Sequence, residues 1–286
     1  MDLQIKGRRL ELDRPLLMGI VNVTPDSFFD GGRFCDPQSA VEHAIRLVHE
    51  GADLLDIGAE STRPGALPVD EQEERRRLIP VVSALSKAVS IPISVDTSKA
   101  QVARAAIGAG AVMINDVTAL RGDPEMVDVL AETGAAVVLM HMQGTPETMQ
   151  HAPHYDDVVG EVVQFLGERA AFALDRGLAK NRIMLDPGIG FGKTLSHNVT
   201  LLANLQAVAR LGFPLLVGPS RKGFIGQLTQ QSVEARAWGT AAVVALAVQQ
   251  GANILRVHDV GPMKDVASVA AAITGRMSSA AREQHA

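Results

Sequence analysis

The stretch Ile183-Met184-Leu185-Asp186-Pro187-Gly188-Ile189-Gly190-Phe191-Gly192-Lys193-Thr194 opens as a short apolar run, stops at an aspartate and enters a glycine-rich turn closed by lysine. A carboxylate at the end of a buried strand, followed by backbone too small to cover it, has the makings of a site. Spacing excludes two familiar phosphate loops. A P-loop needs glycine where Pro187 stands, and Gly188, Gly190 and Gly192 follow GxGxG, not the GxGxxG of a dinucleotide fold. A solvated aspartate in a tight turn would be the plain reading if the segment were alone.

It is one of eight. Short runs rich in Val, Ile and Leu occur at 16–21, 54–57, 91–95, 112–114, 136–140, 183–185, 214–217 and 254–257. They do not alternate with polar residues, as expected of parallel strands covered on both faces. Between them lie segments of helical period, with Val41, Ala44, Ile45 and Val48 on one face, Val102, Ala105 and Ala106 on another, and Leu201, Leu202, Leu205 and Val208 on a third. Gly51, Gly110, Gly134, Gly177, Gly212 and Gly251 stand just ahead of strands, where a helix ends in a left-handed residue. Pro80 predicts a break or a new first turn in the helix over 71–88. Eight such units predict an α/β fold, a single (β/α)8 TIM barrel. Residues 3–12, alternating about Lys6-Gly7-Arg8, predict a short N-terminal β-hairpin plugging one end. No linker divides the chain, so residues 1–286 are read as one domain, with the hairpin in 1–15, the barrel in 16–275 and a frayed tail in 276–286.

Composition narrows the ligands. A net charge of −5 and 3% aromatic residues leave no basic, ring-bearing surface for nucleic acid. A phosphate would have to meet a local cluster of Arg, Lys or His. The lone Cys35 cannot form an internal disulfide. Neither a signal peptide nor an apolar run of about 18 residues is visible, so no membrane partner is expected and the location is read as cytoplasmic.

In a barrel of this kind the C-terminal strand ends form the active face. The residues following the runs are Asn22, Glu60-Ser61-Thr62-Arg63, Asp96-Thr97-Ser98, Asn115-Asp116, His141, Asp186, Ser220-Arg221-Lys222 and Arg256 with His258-Asp259. One Asp or Asn after a strand is an ordinary cap or turn former; eight polar sites on one face are poorly explained that way. Asp96, Asn115 and Asp186 suit a flat ligand edge rich in N–H donors, and Lys222 can donate to a carbonyl or ring nitrogen. Arg63, Ser220, Arg221, Arg256 and His258 make a local set of anion ligands. The site is therefore expected to hold a planar amino-heterocycle at its centre and an anion toward its rim. Two loops stand over it: Thr24 to Gly32, with Phe28, Phe29 and Asp30 before a Gly-Gly hinge, and Ser61 to Gly65. Loops of this kind commonly act as lids.

These residues carry a resemblance. Asn22-Val-Thr-Pro-Asp-Ser-Phe28, Asp56-Ile-Gly-Ala-Glu-Ser-Thr-Arg-Pro-Gly65, Ser94-Val-Asp-Thr97, Ile114-Asn-Asp116, Met140-His-Met-Gln-Gly144, Leu185-Asp-Pro-Gly188, Gly218-Pro-Ser-Arg-Lys222 and Arg256-Val-His-Asp259 form an ordered set over nearly the whole chain. The set closely resembles the pterin-binding barrel family, and in it the dihydropteroate synthases. The resemblance implies condensation of 6-hydroxymethyl-7,8-dihydropterin diphosphate with 4-aminobenzoate, releasing diphosphate and 7,8-dihydropteroate, with small-molecule substrates and a homodimer. It implies pterin contacts from Asp96, Asn115, Met140, Asp186, Gly218 and Lys222, and diphosphate contacts from Asn22, Arg63, Arg256 and His258. Asn22 would also hold Mg²⁺. Phe28, Thr62, Arg63, Pro64, Ser220 and Lys222 would receive 4-aminobenzoate, with Asp30, Arg63, Asp96, Lys222, Arg256 and His258 nearest the chemistry. Phe29 stands where a small residue is frequent in the family, and Ile189 where Phe is common.

Two alternatives stay open: a methyltetrahydrofolate:corrinoid methyltransferase-like barrel, which has no need of the anion cluster, and a pterin-binding paralogue without activity. His141 is either a ligand contact or a hydrogen-bonded residue of the barrel top. Trp238 is read as packing, 241–248 as core or a dimer face, and Cys35 as a plain loop thiol.

Overall fold

The computed structural model describes residues 2–24, 37–61 and 65–276. The chain opens with β1 (Asp2–Ile5) and β2 (Arg8–Glu11), an antiparallel pair with Ile5 opposite Arg8. Lys6 and Gly7 both take positive φ, at 43° and 81°, the turn whose twist matches a two-residue hairpin.

The alternating units follow: β3 (Leu16–Asn22), α1 (Pro37–His49), β4 (Leu54–Gly58), α2 (Glu71–Ala88), β5 (Ile93–Asp96), α3 (Ala100–Ala109), β6 (Met113–Asp116) and α4 (Met126–Thr133). The second half comprises β7 (Ala136–Met140), α5 (Val158–Asp175), β8 (Ile183–Asp186), α6 (Leu195–Ala203), α7 (Leu205–Ala209), β9 (Leu216–Val217), α8 (Gly223–Thr229), α9 (Ala237–Gln249), β10 (Ile254–Val257) and α10 (Val260–Ile273). The parallel sheet runs β8-β7-β6-β5-β4-β3-β10-β9. It closes through one bridge, Leu185 to Leu215, so the fold is the expected barrel with β9 cut short.

Period two along each strand divides the core in two. Leu55, Ile57, Val95, Ile114, Leu139, Leu185, Leu255 and Val257 face outward into the layer beneath the helices. Met18, Leu54, Met113, Val138, Met184, Leu216 and Ile254 fill the lower barrel, where the hairpin's Leu3 and Ile5 join them, with Leu12 just beyond. The hairpin thus plugs the N-terminal end, and Lys6 Nζ fastens it to the Ile107 carbonyl at 3.0 Å. The six glycines expected at helix ends all have positive φ, between 71° and 121°.

Pro80 corrects the expectation of a break: α2 runs through it. Proline removes one backbone hydrogen bond, but Pro80 lies on the exposed side while Leu78, Val81, Val82 and Leu85 bury the opposite stripe. Packing of that stripe holds both halves in line. Among the described residues no helix is long and apolar enough to cross a membrane.

Candidate active site

The same alternation that fills the lower barrel with methyl groups brings polar groups inward one step higher. Above Leu54 comes Asp56, above Ser94 Asp96, above Met113 Asn115, above Val138 Met140, above Met184 Asp186 and above Ile254 Arg256. Asp56, Asp96, Asn115 and Asp186 are all buried.

Arg256 ties this layer together. Its Nε donates to Asp56 Oδ2 at 2.6 Å and its Nη2 to Asp96 Oδ2 at 3.2 Å. Asn115 Nδ2 donates to the same Asp56 oxygen at 3.0 Å. Buried carboxylates keep their protons longer than exposed ones. Burial pushes Asp96 up to about 7 against the pull of Arg256, with Asp56 adding like-charge repulsion. Asp186 is pushed up to about 6 by burial, opposed by the Gly188 N–H and by Lys222. Lys222 moves the other way, down to about 8, through burial and its neighbour Arg256. Its Nζ lies 4.0 Å from the Phe191 ring centroid, a cation over an aromatic face.

The opening stretch forms one wall. Asp186 Oδ1 accepts from Gly188 N–H at 2.7 Å. Lys193 is buried, and its Nζ donates to the carbonyls of Gly188 (3.0 Å) and Phe191 (2.9 Å) and reaches His141 Nδ1 at 2.9 Å. Gly188 must be glycine, for a Cβ there would stand 1.9 Å from the His141 carbonyl oxygen. Met140 packs with Val117, Met142, Met149 and Phe191 as the apolar side of the cup. His141 takes the second of its two readings: its ring braces the lysine, and burial followed by Lys193 pulls its pKa down to about 3.

At the rim, His258 Nδ1 lies 2.9 Å from Ser220 Oγ, and Ser220 also accepts the His258 N–H at 3.1 Å. Burial, then the charge of Arg256, pulls His258 down to about 3. Gly218 follows β9, its Cα side facing Arg256, and Asn22 ends β3, half-buried.

Not every strand-end group joins the cup. Arg221 is held by Asp259 through bonds of 3.0 and 2.5 Å, so its charge is already matched. Asp116 caps the turn at Thr118 and Leu120. Glu60 pairs with Lys99, which also holds buried Glu74 at 2.5 Å. Phe28, Phe29, Asp30, Cys35, Thr62, Arg63 and Pro64 lie outside the described residues.

Asp56, Phe191 and Lys193 had no role in the expected site. Asp56 lies before the strand end, and looking only past each apolar run misses it; period two along β4 was the available signal. Lys193 acts on backbone carbonyls, which no motif announces. Trp238 is 86% exposed on α9, which corrects its reading as a packed residue within the chain.

Residues 18–258 match the family model described as pterin binding enzyme. The chain is 48% identical to the dihydropteroate synthase of Synechocystis sp. over 261 residues, 91% of this chain and 90% of that one. The structure is similar to that of the Xanthomonas albilineans dihydropteroate synthase with 4-aminobenzoic acid, at TM-score 0.90 and 53% identity, covering 95% of this chain and 97% of that one. A second structure of the X. albilineans enzyme, in complex with 7,8-dihydropteroate, aligns at TM-score 0.86 and 50% identity over 96% and 98% of the two chains.

Proposed function

The chain belongs to the pterin-binding enzyme family and to its dihydropteroate synthases; it is a transferase, and we propose that it joins 6-hydroxymethyl-7,8-dihydropterin diphosphate to 4-aminobenzoate, releasing diphosphate. One observation carries this most directly: Asp96, Asn115, Asp186, Lys222 and Arg256 meet in one cup, with His258 at its rim. Buried acceptors suit the donor-rich edge of a pterin. The Arg256 guanidinium and the His258 ring N–H suit the departing diphosphate.

Breaking the methylene C–O bond leaves positive charge on the pterin methylene and added negative charge on diphosphate. Asp96 and Asp186 stabilise the first charge, Arg256 and His258 the second, and a low-dielectric cup strengthens both effects. The arylamine nitrogen attacks the exposed carbon, forms the C–N bond and sheds a proton to the released diphosphate or to solvent. Lys222 orients the pterin, and Ser220 fixes the His258 ring. On sequence grounds Phe28, Thr62, Arg63 and Pro64 are assigned to 4-aminobenzoate and Asp30 to stabilising the cation.

Mg²⁺ fits the donor set. Among the described residues there is no group of three or more His, Cys, Asp or Glu side chains to cage a cation, and Mg²⁺ commonly rides on substrate phosphates with one or two protein ligands. The Asn22 amide oxygen would supply such a ligand. When bound, the ion neutralises leaving-group charge.

Trp238, Leu246, Val269 and Ile273 are exposed on α9 and α10, which pack together. An apolar patch of this kind supports a homodimer. We place the protein in the cytoplasm, working as one domain.

The test is purified protein with the pterin diphosphate and labelled 4-aminobenzoate. Dihydropteroate that forms with Mg²⁺ and disappears on chelation is expected. Pterin binding without turnover would make the chain a silent paralogue, and demethylation of methyltetrahydrofolate would make it a methyltransferase.

A further inference from the structure

Asp56 belongs to neither the substrate contacts nor the leaving-group contacts assigned above, yet it touches members of both. It is fully buried, and its Oδ2 accepts from Arg256 Nε (2.6 Å) and Asn115 Nδ2 (3.0 Å). Neither partner is on a neighbouring strand. β3 separates β4 from β10, and β5 separates β4 from β6, so the carboxylate spans one intervening strand on each side.

The chemistry of this contact sets a polarity. A carboxylate oxygen presents an acceptor, so the amide of Asn115 must turn its NH₂ inward. Its Oδ1 is then left buried, with no protein partner among the described residues. A buried acceptor without a partner is costly, and a ligand N–H removes that cost. Were the amide free to flip, the pocket would offer a donor to a ligand edge that also donates. Arg256 is fixed by the same oxygen, with Nη2 drawn to Asp96.

We propose that Asp56 is the positioning residue that sets the donor–acceptor polarity of the pocket, holding Asn115 as an acceptor toward the pterin while anchoring Arg256. This rests on the pterin reading of the cup.

The experiment titrates 6-hydroxymethylpterin, which lacks the diphosphate, into wild type, D56A, D56N, N115A and D56A/N115A, with thermal melts to establish folding. D56A is expected to weaken binding by about ten- to a hundredfold, the scale of a lost hydrogen bond to a charged group. D56N retains an acceptor oxygen and should recover most of that loss. In the N115A background D56A should cost less than in wild type, because the part of its effect that runs through Asn115 is already lost. Should D56A fail to fold, D56S serves, its hydroxyl being too short for both partners. Undiminished binding by D56A, a D56N variant no better than D56A, or the same D56A penalty with Asn115 already removed would each overturn the role. Wild type that binds no pterin would instead strike the functional reading and take this inference with it.

Discussion

Replacing Gly188 with alanine should damage stability and pterin binding together. Gly188 has φ +66°, and its Cβ would stand 1.9 Å from the His141 carbonyl oxygen and 3.3 Å from Met140 Cγ. The methionine can swing away. The carbonyl cannot, because the His141 N–H bonds to the Asp186 carbonyl at 3.0 Å and the His141 ring is held by Lys193 at 2.9 Å. The turn must therefore move, which loosens the 2.7 Å bond from Gly188 N–H to Asp186. Left-handed backbone costs alanine about 1–2 kcal/mol, overpacking typically about 1–3 kcal/mol and a lost bond to a carboxylate about 1.5–3 kcal/mol. These costs overlap, and a total of roughly 4 kcal/mol corresponds to a Tm lowered by about 7 °C in a chain of this size. Thermal melts would read the first effect, and pterin titration the second, since Asp186 loses its orientation. Gly108→Ala is the control: it is exposed in α3 with nothing within 4 Å of the new Cβ, and alanine there should stabilise by about 0.5–1 kcal/mol. If Gly188→Ala melts and binds pterin like wild type, the packing described for this wall is wrong.

Arg256→Ala removes the charge proposed to stabilise the departing group and should lower kcat by about 10²–10³; near-normal turnover of the diphosphate substrate would remove Arg256 from that role. Asp186 tests linkage. Its folded pKa of about 6 exceeds the ordinary 3.8, so the folded state keeps the proton longer, and the associated stability is present below about pH 4 and lost as pH rises through about 6. Asp186→Asn should therefore gain Tm over wild type across that window while binding pterin more weakly, and a Tm difference independent of pH would contradict the assignment. Trp238→Arg, at an 86% exposed position, should shift the proposed homodimer toward monomer in analytical ultracentrifugation with little effect on monomer melting; a wild-type dimer that the variant leaves unchanged would move the interface elsewhere, and a monomeric wild type would end the dimer proposal.

Eight short apolar runs set between helical segments are legible residue by residue in the sequence, and that order is enough to specify the barrel. Hairpin, helix-end glycines and strand positions are local matters, set by backbone conformation and period, and they can be read one segment at a time. The polar strand ends were legible for the same reason: Asp96, Asn115 and Asp186 each close an apolar run, and Arg256 interrupts the last one. What tertiary structure decided is how those charges are shared. Arg221 and Arg256 look alike in sequence, yet one is matched by Asp259 outside the cup and the other bridges two carboxylates inside it. Likewise Asp56 and Asp116 are both buried acids on strands, but one organises the pocket and the other caps a turn. Pro80 shows the same override, its local preference outweighed by the buried stripe around it. Pairing energies and pKa values depend on distances across the barrel, between residues as far apart as 56 and 256, and those distances exist only once the strands have closed.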